Sequence, residues 1–519
     1  MTACLRFCTS AGCASRGATA LLDRCAEVAQ QQGSGMAVKG VGCHGPCSDG
    51  PLFSVSCGDE VRLISVQSSS ASELAMELQE ALSRGSLREW VPRGCRSLDP
   101  QSPFLALQRR IVLERCGQID PEDLSDAESA GAYQELNAVL AANKPQAVID
   151  LVRRSGLRGR GGAGYPTGLK WATVAAMPGA EKRLVCNADE GDPGAFMDRT
   201  ILEGDPHSVL EGMAIAAFAV GAQHGFIYIR AEYPLAIARL RCAIAEARQQ
   251  GWLGTPIAGS RFSFDLELRV GAGAYVCGEE TALIHSIEGQ RGVPRPRPPY
   301  PAEHGVFGLP TLINNVETYA NIPVLHRLGL ERYGVGTKVF SLTGHVSRSG
   351  VIEVPIGTSL RTIVETMAGG PPDHKPIKAV QTGGPSGGCI PAAALDTPVD
   401  YDSLQALGTI MGSGGMVVMD STTNMVDVAA YFMAFSREES CGKCIPCRTG
   451  TVQLELLLRK LLARKATVAD LEQLERLSET VRDASLCGLG QSAPKPVLST
   501  LRHFRADYLA LLQPPEASR

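Results

Sequence analysis

The chain has 519 residues, room for several domains that each bury a core. A net charge of −4 gives no electrostatic reason to bind nucleic acid or an anionic membrane. Aromatic residues are only 5% of the chain while Gly (56) and Pro (32) are plentiful, which excludes a coiled coil and suits a loop-rich protein.

Up to residue 67 the sequence predicts an amphipathic helix over Arg16–Gln31 and a β-rich stretch over Leu52–Val66. Residues 68–143 are polar and mostly helical, with a Pro/Ser break at 91–103, and read as a helical linker. From 144 to 332, strands at Arg183–Cys186, Gly225–Ile229 and Leu266–Val270 alternate with helices at Leu210–Ala222 and Pro234–Gln249, the pattern of an α/β domain. Residues 333–424 hold short strands (Lys338–Thr343, Gly350–Val354, Ala379–Thr382, Met416–Val418) and a helix at Thr358–Ala368, a small β-grasp-like module. Residues 425–519 form a helical bundle, with helices at Val452–Leu462, Val468–Val481 and Pro496–Leu512. No apolar run reaches the roughly 18 residues of a membrane span, and Met1–Ser10 lacks a signal-peptide core, so a cytoplasmic location is expected.

Seventeen cysteines without a secretory signal point to metal or redox chemistry rather than disulfides. Cys441, Cys444 and Cys447 stand at i, i+3 and i+6, a spacing that wraps one corner of a [4Fe–4S] cubane, with Cys487 able to close it. Zinc is the alternative, but it normally takes paired C-x2-C knuckles. Gly442 and Pro446 are expected to keep this turn out of regular helix. A second group, Cys8-x4-Cys13 and Cys43-x3-Cys47, suits a [2Fe–2S] centre, with a vestigial site as the alternative and His44 as a spare ligand. The remaining cysteines, such as Cys186, Cys242 and Cys389, read as small buried hydrophobes.

Between Ser155 and Trp171 lies a glycine-rich loop with Gly159, Gly161, Gly162 and Gly164 beside Arg158, Arg160 and Lys170. Free N–H groups next to cations suit a phosphate or a polar ring edge, and a structural turn is equally open. The loop matches neither the dinucleotide fingerprint nor the P-loop. Asn187–Gly194, Gly273–Leu283 and Pro310–Thr318 each stand where strand gives way to loop, and each alone reads as a helix cap. The stretch Gly383-Gly384-Pro385-Ser386-Gly387-Gly388 reads as a turn rather than a second phosphate loop.

Taken in order over about Pro145–Leu498, these segments resemble the NADH-dehydrogenase flavoprotein family, the 51 kDa subunit of respiratory complex I. The resemblance implies a multidomain α/β protein: a thioredoxin-like ferredoxin-type domain (1–67), a Rossmann-like FMN and NAD(H) domain (144–332), a β-grasp SLBB-like domain (333–424) and a cluster-bearing helical bundle (425–519). By position it implies FMN contacts from Gly159, Arg160, Gly161, Gly162, Gly164 and Lys170, and from Asn187, Asp189, Glu190, Tyr275, Gly278 and Glu279. Ile313, Asn314, Asn315 and Thr318 match its phosphate-holding end. Tyr165, Asp192, Glu280 and Tyr300 match NADH positions, with Asp192 where the family has Glu and Thr173 where a third aromatic ring is expected.

The implied activity is hydride exchange between NAD(H) and FMN with single electrons passing to [4Fe–4S] and [2Fe–2S] clusters, with no catalytic side chain required. The fused N-terminal module and the stretch Gly191–Arg199 resemble the soluble branch of the family. They point to the NAD+-reducing beta subunit of a molybdenum formate dehydrogenase, with a catalytic alpha subunit and a small [2Fe–2S] gamma subunit as partners. The alternatives are the diaphorase subunit of a bidirectional hydrogenase and a non-catalytic electron-wiring subunit.

Overall fold

The computed structural model describes residues 3–179 and 181–513. The first two residues of Met1–Ser10 and the last six of the 425–519 region lie outside them. Three sheets organise the chain. The first has the order β2-β1-β3-β4-β5, built from β1 (Ala3–Cys8), β2 (Ala37–Val41), β3 (Leu52–Cys57), β4 (Glu60–Val66) and β5 (Cys95–Ser97). β1 and β2 are parallel because the predicted helix, observed at Ala18–Gln31, crosses between them; the other pairs are antiparallel.

This sheet corrects the boundary at residue 67. β5 pairs with β4, and the Ala71–Arg84 helix buries Leu74, Leu78 and Ala81 with Trp90 in the same core. A half-covered sheet must bury its second apolar face, so this part of the linker belongs to the first unit. The rest of the linker is pinned to the body. The fully buried carboxylate of Glu353 accepts the N–H groups of Ile111, Val112 and Leu113 at 2.9–3.1 Å. Val112, Leu113 and Cys116 then join the main core.

The central sheet is wholly parallel, with the order β8-β7-β6-β9: β6 (Arg183–Ala188), β7 (His224–Arg230), β8 (Asp265–Gly271) and β9 (Thr311–Asn315). Helices Pro206–Val220 and Pro234–Gln249 cover it, the first buried almost all round. β9 is a strand that the Pro310–Thr318 motif concealed. The third sheet has the order β11-β10-β14-β12-β13, from β10 (Thr337–Gly344), β11 (Gly350–Pro355), β12 (Ile377–Thr382), β13 (Gly388–Pro391) and β14 (Gly415–Asp420). The helix expected at Thr358–Ala368 shrinks to a wide-turned segment, Thr362–Met367, with an i→i+5 bond from Ala368 to Ile363. A buried ion pair, Lys338 with Glu317, joins this module to the central domain.

The C-terminal region packs helices Met425–Glu438, Ile445–Leu462 and Val468–Ala484 around Leu454, Leu458, Leu461 and Leu474. The helix expected at Pro496–Leu512 is broken at Phe504 into Lys495–His503 and Arg505–Leu509. Among the described residues no helix is long and apolar enough to cross a membrane.

Candidate functional site: a cleft between two cysteine sets

In an open parallel sheet, ligands bind beyond the carboxyl ends of the strands where the strand order reverses. Here that point lies between β6 and β9, where Asn187 and Asn315 pair in register. A cleft opens there, lined by Gly161, Gly162, Asn187, Asp189, Glu190, Asp192, Tyr275, Gly278, Glu279 and Asn315 among others.

Its polar walls are fixed by hydrogen bonds. Asn187 Nδ2 donates to Gly278 O (2.9 Å), and Asn187 Oδ1 accepts from Asp189 N–H (3.1 Å). Asn315 Oδ1 caps the helix that follows, accepting from Glu317 N–H (2.9 Å), while its amide nitrogen donates to Asp198 (2.5 Å). Glu279 caps the Glu280–Ile287 helix through the N–H groups of Thr281 and Ala282. Tyr275 donates its hydroxyl to Asp192 (2.8 Å), and Ser413 donates to the other Asp192 oxygen (2.9 Å). The helix-cap reading therefore holds for Glu279 and Asn315, which also shape the cleft, whereas the Asn187 bond closes a loop turn and the next helix, from Met197, has no side-chain cap at its N-cap Phe196.

Burial raises the pKa of four carboxyls in this cleft, those of Asp189, Glu190, Asp192 and Asp198. Asp189 is pushed up to about 7, with Arg230 at 3.6 Å opposing the shift. Asp192 and Glu190 are raised by burial, and Asp198 strongly so by burial together with Glu190 and Glu317. Asp189 Oδ2 and Arg230 Nη1 are buried without a hydrogen-bond partner among the described residues. Unpaired buried polar atoms are costly and call for a partner that the chain does not supply. With the glycine backbone of Gly161 and Gly162, they fit a polar, planar cofactor such as FMN.

Other predicted residues support this floor instead of lining it. Arg160 corrects its expected role: its N–H donates to Thr318 Oγ1 (2.9 Å), and its guanidinium is buried against Tyr401 (3.1 Å) and Glu317 (3.9 Å). Thr318 is thereby engaged from behind. Gly159 O accepts from Tyr401, and Gly164, at φ +63°, is pressed on that ring: a Cβ there would lie 2.3 Å from Tyr401 Cδ1. Lys170 donates to Ile313 O (3.1 Å), with desolvation holding its ammonium below the usual pKa, and Asn314 is buried. Tyr165 and Tyr300 are half exposed, beneath the cations of Lys170 and Arg297 (5.9 Å each), and Arg297 pairs with Glu280 (2.5 Å). Arg297 thus links Tyr300 and Glu280, while Tyr165 sits with Lys170; none of the three is in the cleft lining.

Several cleft residues escaped the sequence analysis. Gly383, Ser386, Ile410, Gly412 and Ser413 come from the β-grasp module and close the far wall. The Gly383–Gly388 stretch is the turn expected, yet it edges the cleft, with Ser386 hydrogen-bonded to Tyr275 (3.1 Å). Its glycine density was the available signal.

Cys441, Cys444, Cys447 and Cys487 line one cavity, and four thiols brought together suit a cubane held by four thiolates. Pro446 does not keep this segment out of helix. It sits in the first turn of Ile445–Leu462, where a missing N–H costs nothing, with Cys444 at the N-cap and Cys447 inside. Ser440 lies 3.2 Å from Cys447 Sγ, and burial pushes that thiol up to about 11. Val276 and Leu489 line both this cavity and the cleft.

The N-terminal cysteines also converge. Cys8 ends β1, Cys13 lies in a short helical turn, and Cys43 and Cys47 follow β2; all four share one small cluster. Cys43 and Cys47 Sγ are 3.8 Å apart, and Gly45 N–H donates to Cys43 Sγ (3.3 Å). Contacts with Cys47 and Cys8 hold the Cys43 thiol well below its usual pKa. His44 turns its Nε2 to Arg6 O (3.3 Å) and is not directed at the thiols.

Comparison with known proteins agrees with this geometry. Residues 152–324 match the Nuo51 FMN-binding domain, and 427–511 match the NADH-ubiquinone oxidoreductase-F iron-sulfur binding region. HndC, a subunit of the NADP-reducing hydrogenase of Solidesulfovibrio fructosivorans, is 54% identical over 78% of this chain and 83% of its own length. An NADH-quinone oxidoreductase subunit of Rhizobium meliloti is 44% identical over 78% of this chain and 97% of its own. A solved NAD+-reducing [NiFe]-hydrogenase in the H2-reduced state is similar over 99% of this chain and 85% of its own, with a TM-score of 0.68 and 32% identity. The chain belongs to the Nuo51 family of NADH-quinone oxidoreductase subunits, whose members combine an FMN-binding domain with a [4Fe–4S] region.

Proposed function

We propose that this chain is an NADH:acceptor (diaphorase) subunit, exchanging hydride with a nicotinamide nucleotide in the cleft and single electrons with clusters on the two cysteine sets. The observation that carries this reading is the wall shared by Val276 and Leu489 between the cleft and the C-terminal cysteine cavity. When bound, FMN supplies the conversion between a two-electron hydride and one-electron transfers. The chain's own residues hold, orient and polarise. Gly161, Gly162, Asn187, Gly278, Glu279 and Asn315 would hold the flavin, with Lys170, Ile313, Asn314 and Thr318 fixing their backbone from beneath.

Asp189, raised towards 7, presents a carboxyl that can be neutral, and Arg230 offers a donor beside it. Tyr165, Glu280 and Tyr300 are the residues to which the nucleotide is assigned. Cys441, Cys444, Cys447 and Cys487 would hold a [4Fe–4S] cluster, and Cys8, Cys13, Cys43 and Cys47 a [2Fe–2S] centre. The intact glycine loop and the Glu279–Glu280 pair argue against a non-catalytic wiring subunit. Protein reconstituted with FMN and iron should reduce an artificial acceptor with NADH or NADPH; flavin-loaded protein without such activity overturns the reading.

For the partner, the fused N-terminal module and the Gly191–Arg199 stretch support the beta subunit of a molybdenum formate dehydrogenase, with alpha and gamma subunits beside it. A second reading, the diaphorase subunit of an NAD-linked hydrogenase, is favoured by the 54% identity to a hydrogenase subunit and the whole-chain similarity to a hydrogenase structure. Metal analysis of the complex purified with this chain separates them: molybdenum supports the first and nickel the second.

A further inference from the structure

The helix Met425–Glu438 ends where the cleft meets the C-terminal cysteine cavity. Its last residues serve both. Phe435 sets its ring edge to face with that of the cleft residue Tyr275, 5.2 Å between centroids, and Glu439, at the C-cap, accepts the Tyr275 N–H at 2.8 Å. The next residue, Ser440, lines the cysteine cavity instead, with its Oγ 3.2 Å from Cys447 Sγ. Two further bonds hold the loop that follows against the central domain: Arg291 donates to Cys441 O (3.1 Å) and Lys443 Nζ to Pro294 O (2.6 Å). Ser440 is therefore fixed from both sides before any cofactor arrives.

The direction of the Ser440–Cys447 bond follows from what else surrounds the hydroxyl. Gly442 N–H donates to Ser440 Oγ (3.3 Å), in a left-handed turn at Gly442 with φ +75°. The serine oxygen is thus engaged as an acceptor, and Cys447 Sγ is the one acceptor its own hydrogen has among the described residues. A cysteine that ligates iron does so as thiolate and has no proton to give, so the serine donates. Hydrogen bonds in series polarise one another, and the Gly442 amide makes the hydroxyl a stronger donor. Cys447 itself is buried in the first turns of its helix, which leaves little water to compete for the sulfur. The N-terminal set is built differently: Cys43 takes its bond from a backbone N–H, that of Gly45 (3.3 Å). Among the described residues, Ser440 is the one side-chain hydroxyl bonded to any cysteine of the two sets.

We propose that Ser440 is a positioning residue for electron transfer, whose hydroxyl donates to the Cys447 thiolate and thereby raises the reduction potential of the [4Fe–4S] cluster. The inference rests on the reading of Cys441, Cys444, Cys447 and Cys487 as the ligands of that cluster. One added electron makes the cluster and its sulfurs more negative, and a hydrogen bond to a ligand sulfur stabilises that form. No proton is transferred. Ser440 keeps its hydrogen in both states, and the bond tightens as the charge on its acceptor grows. One helix end then fixes the Tyr275 loop through Glu439 and the potential of the electron acceptor through Ser440.

The test is a redox titration of the full chain loaded with FMN and iron, the cluster followed by EPR and the flavin by absorbance, for S440A and S440T. S440A removes the donor and should shift the reduction equilibrium of the [4Fe–4S] cluster about tenfold towards the oxidised form, which is 59 mV for a one-electron couple. S440T keeps a hydroxyl and should restore most of that shift. The flavin should titrate unchanged in both variants, because Ser440 does not line the cleft. A cluster in S440A that titrates as in the unaltered protein overturns the inference alone, as does an equal shift in S440T or in the flavin. Loss of the cluster's signal and iron from folded S440A assigns the serine to assembly and also overturns it. Absence of the [4Fe–4S] signal from the unaltered protein overturns the ligand reading and the inference together.

Discussion

The C-terminal cysteines come from one short loop, the first turn of a helix and one distant segment, and Cys441, Cys444 and Cys487 remain partly exposed. The N-terminal four are drawn from the ends of two strands and the turns beyond them, and Cys8, Cys13 and Cys43 are buried. The first set is assembled by local spacing. The second depends on the sheet and on docking: Val351 N–H donates to Gly45 O (2.9 Å), Ser48 N–H donates to Ser349 O (3.0 Å), and Gly42 abuts Gly204. A site built locally survives damage to its surroundings, while a site built by docking fails with its interface. The flavin cleft lies between the two and draws on both kinds of construction.

The largest expected effect strikes the local set. Cys444→Ser should abolish the [4Fe–4S] EPR signal and transfer to an external acceptor, yet leave anaerobic bleaching of the flavin by NADH largely intact. Lost bleaching in folded, flavin-loaded protein would break the division of roles between the two sites.

Gly42→Val then tests the docked set. Its side chain has no room against the Gly204 backbone, so the cysteine loops must lift. Iron analysis should show a loss of about two irons per chain, the content of one [2Fe–2S] centre, with the C-terminal signal retained. Loss of both signals would show that the two sets are not independently built.

Smaller effects probe the cleft between them. Asp189 has its folded pKa raised to about 7 from an ordinary value of 3.8. Below the lower value both states are protonated and nothing is lost. As pH rises towards 7 the unfolded chain releases this proton first, so burial of the carboxyl costs stability that reaches its full size only above pH 7. Asp189→Asn removes this cost, on the order of 2–4 kcal/mol at full size. The melting temperature of the variant relative to the unaltered protein should therefore climb between pH 5 and pH 8. A difference that is flat with pH would refute the buried-acid account.

The smallest effect is expected from Gly161→Ala. A Cβ there would sit 3.0 Å from Asn315 Cβ, so the glycine loop or Asn315 must shift by a few tenths of an ångström. Flavin affinity should fall about tenfold, or about 1.4 kcal/mol, as read by fluorescence titration of the apoprotein. Unchanged affinity would remove Gly161 from the flavin's floor.

Much of this site was legible before the fold was known. The i, i+3, i+6 cysteines carry their geometry in their spacing, and the Glu279 and Asn315 stretches show helix-cap chemistry whose donors lie within three residues. Arg160 was misplaced because a cation in a glycine loop can turn either to a ligand or to a buried carboxylate. The deciding partner, Glu317, lies 157 residues away. The β-grasp wall at Ser386 and Ser413 was missed for the same reason: only packing of the third sheet against the central one brings those hydroxyls to Tyr275 and Asp192. Cys95 and the Ala71–Arg84 helix read as linker because pairing with β4 is a long-range event that local polarity conceals.

What the sequence by itself determined is the set of chemical parts and their order: a glycine loop, acidic and asparagine caps, and two sets of four thiols. Local spacing suffices for these, because hydrogen-bond and ligand geometry within a turn is fixed by a few dihedral angles. Only the tertiary structure decided that the ends of β6 and β9 face one cleft, and that this cleft shares Val276 and Leu489 with the C-terminal cysteines. Those relations come from strand order and from burial of apolar faces distant in the chain, which no local pattern of residues records.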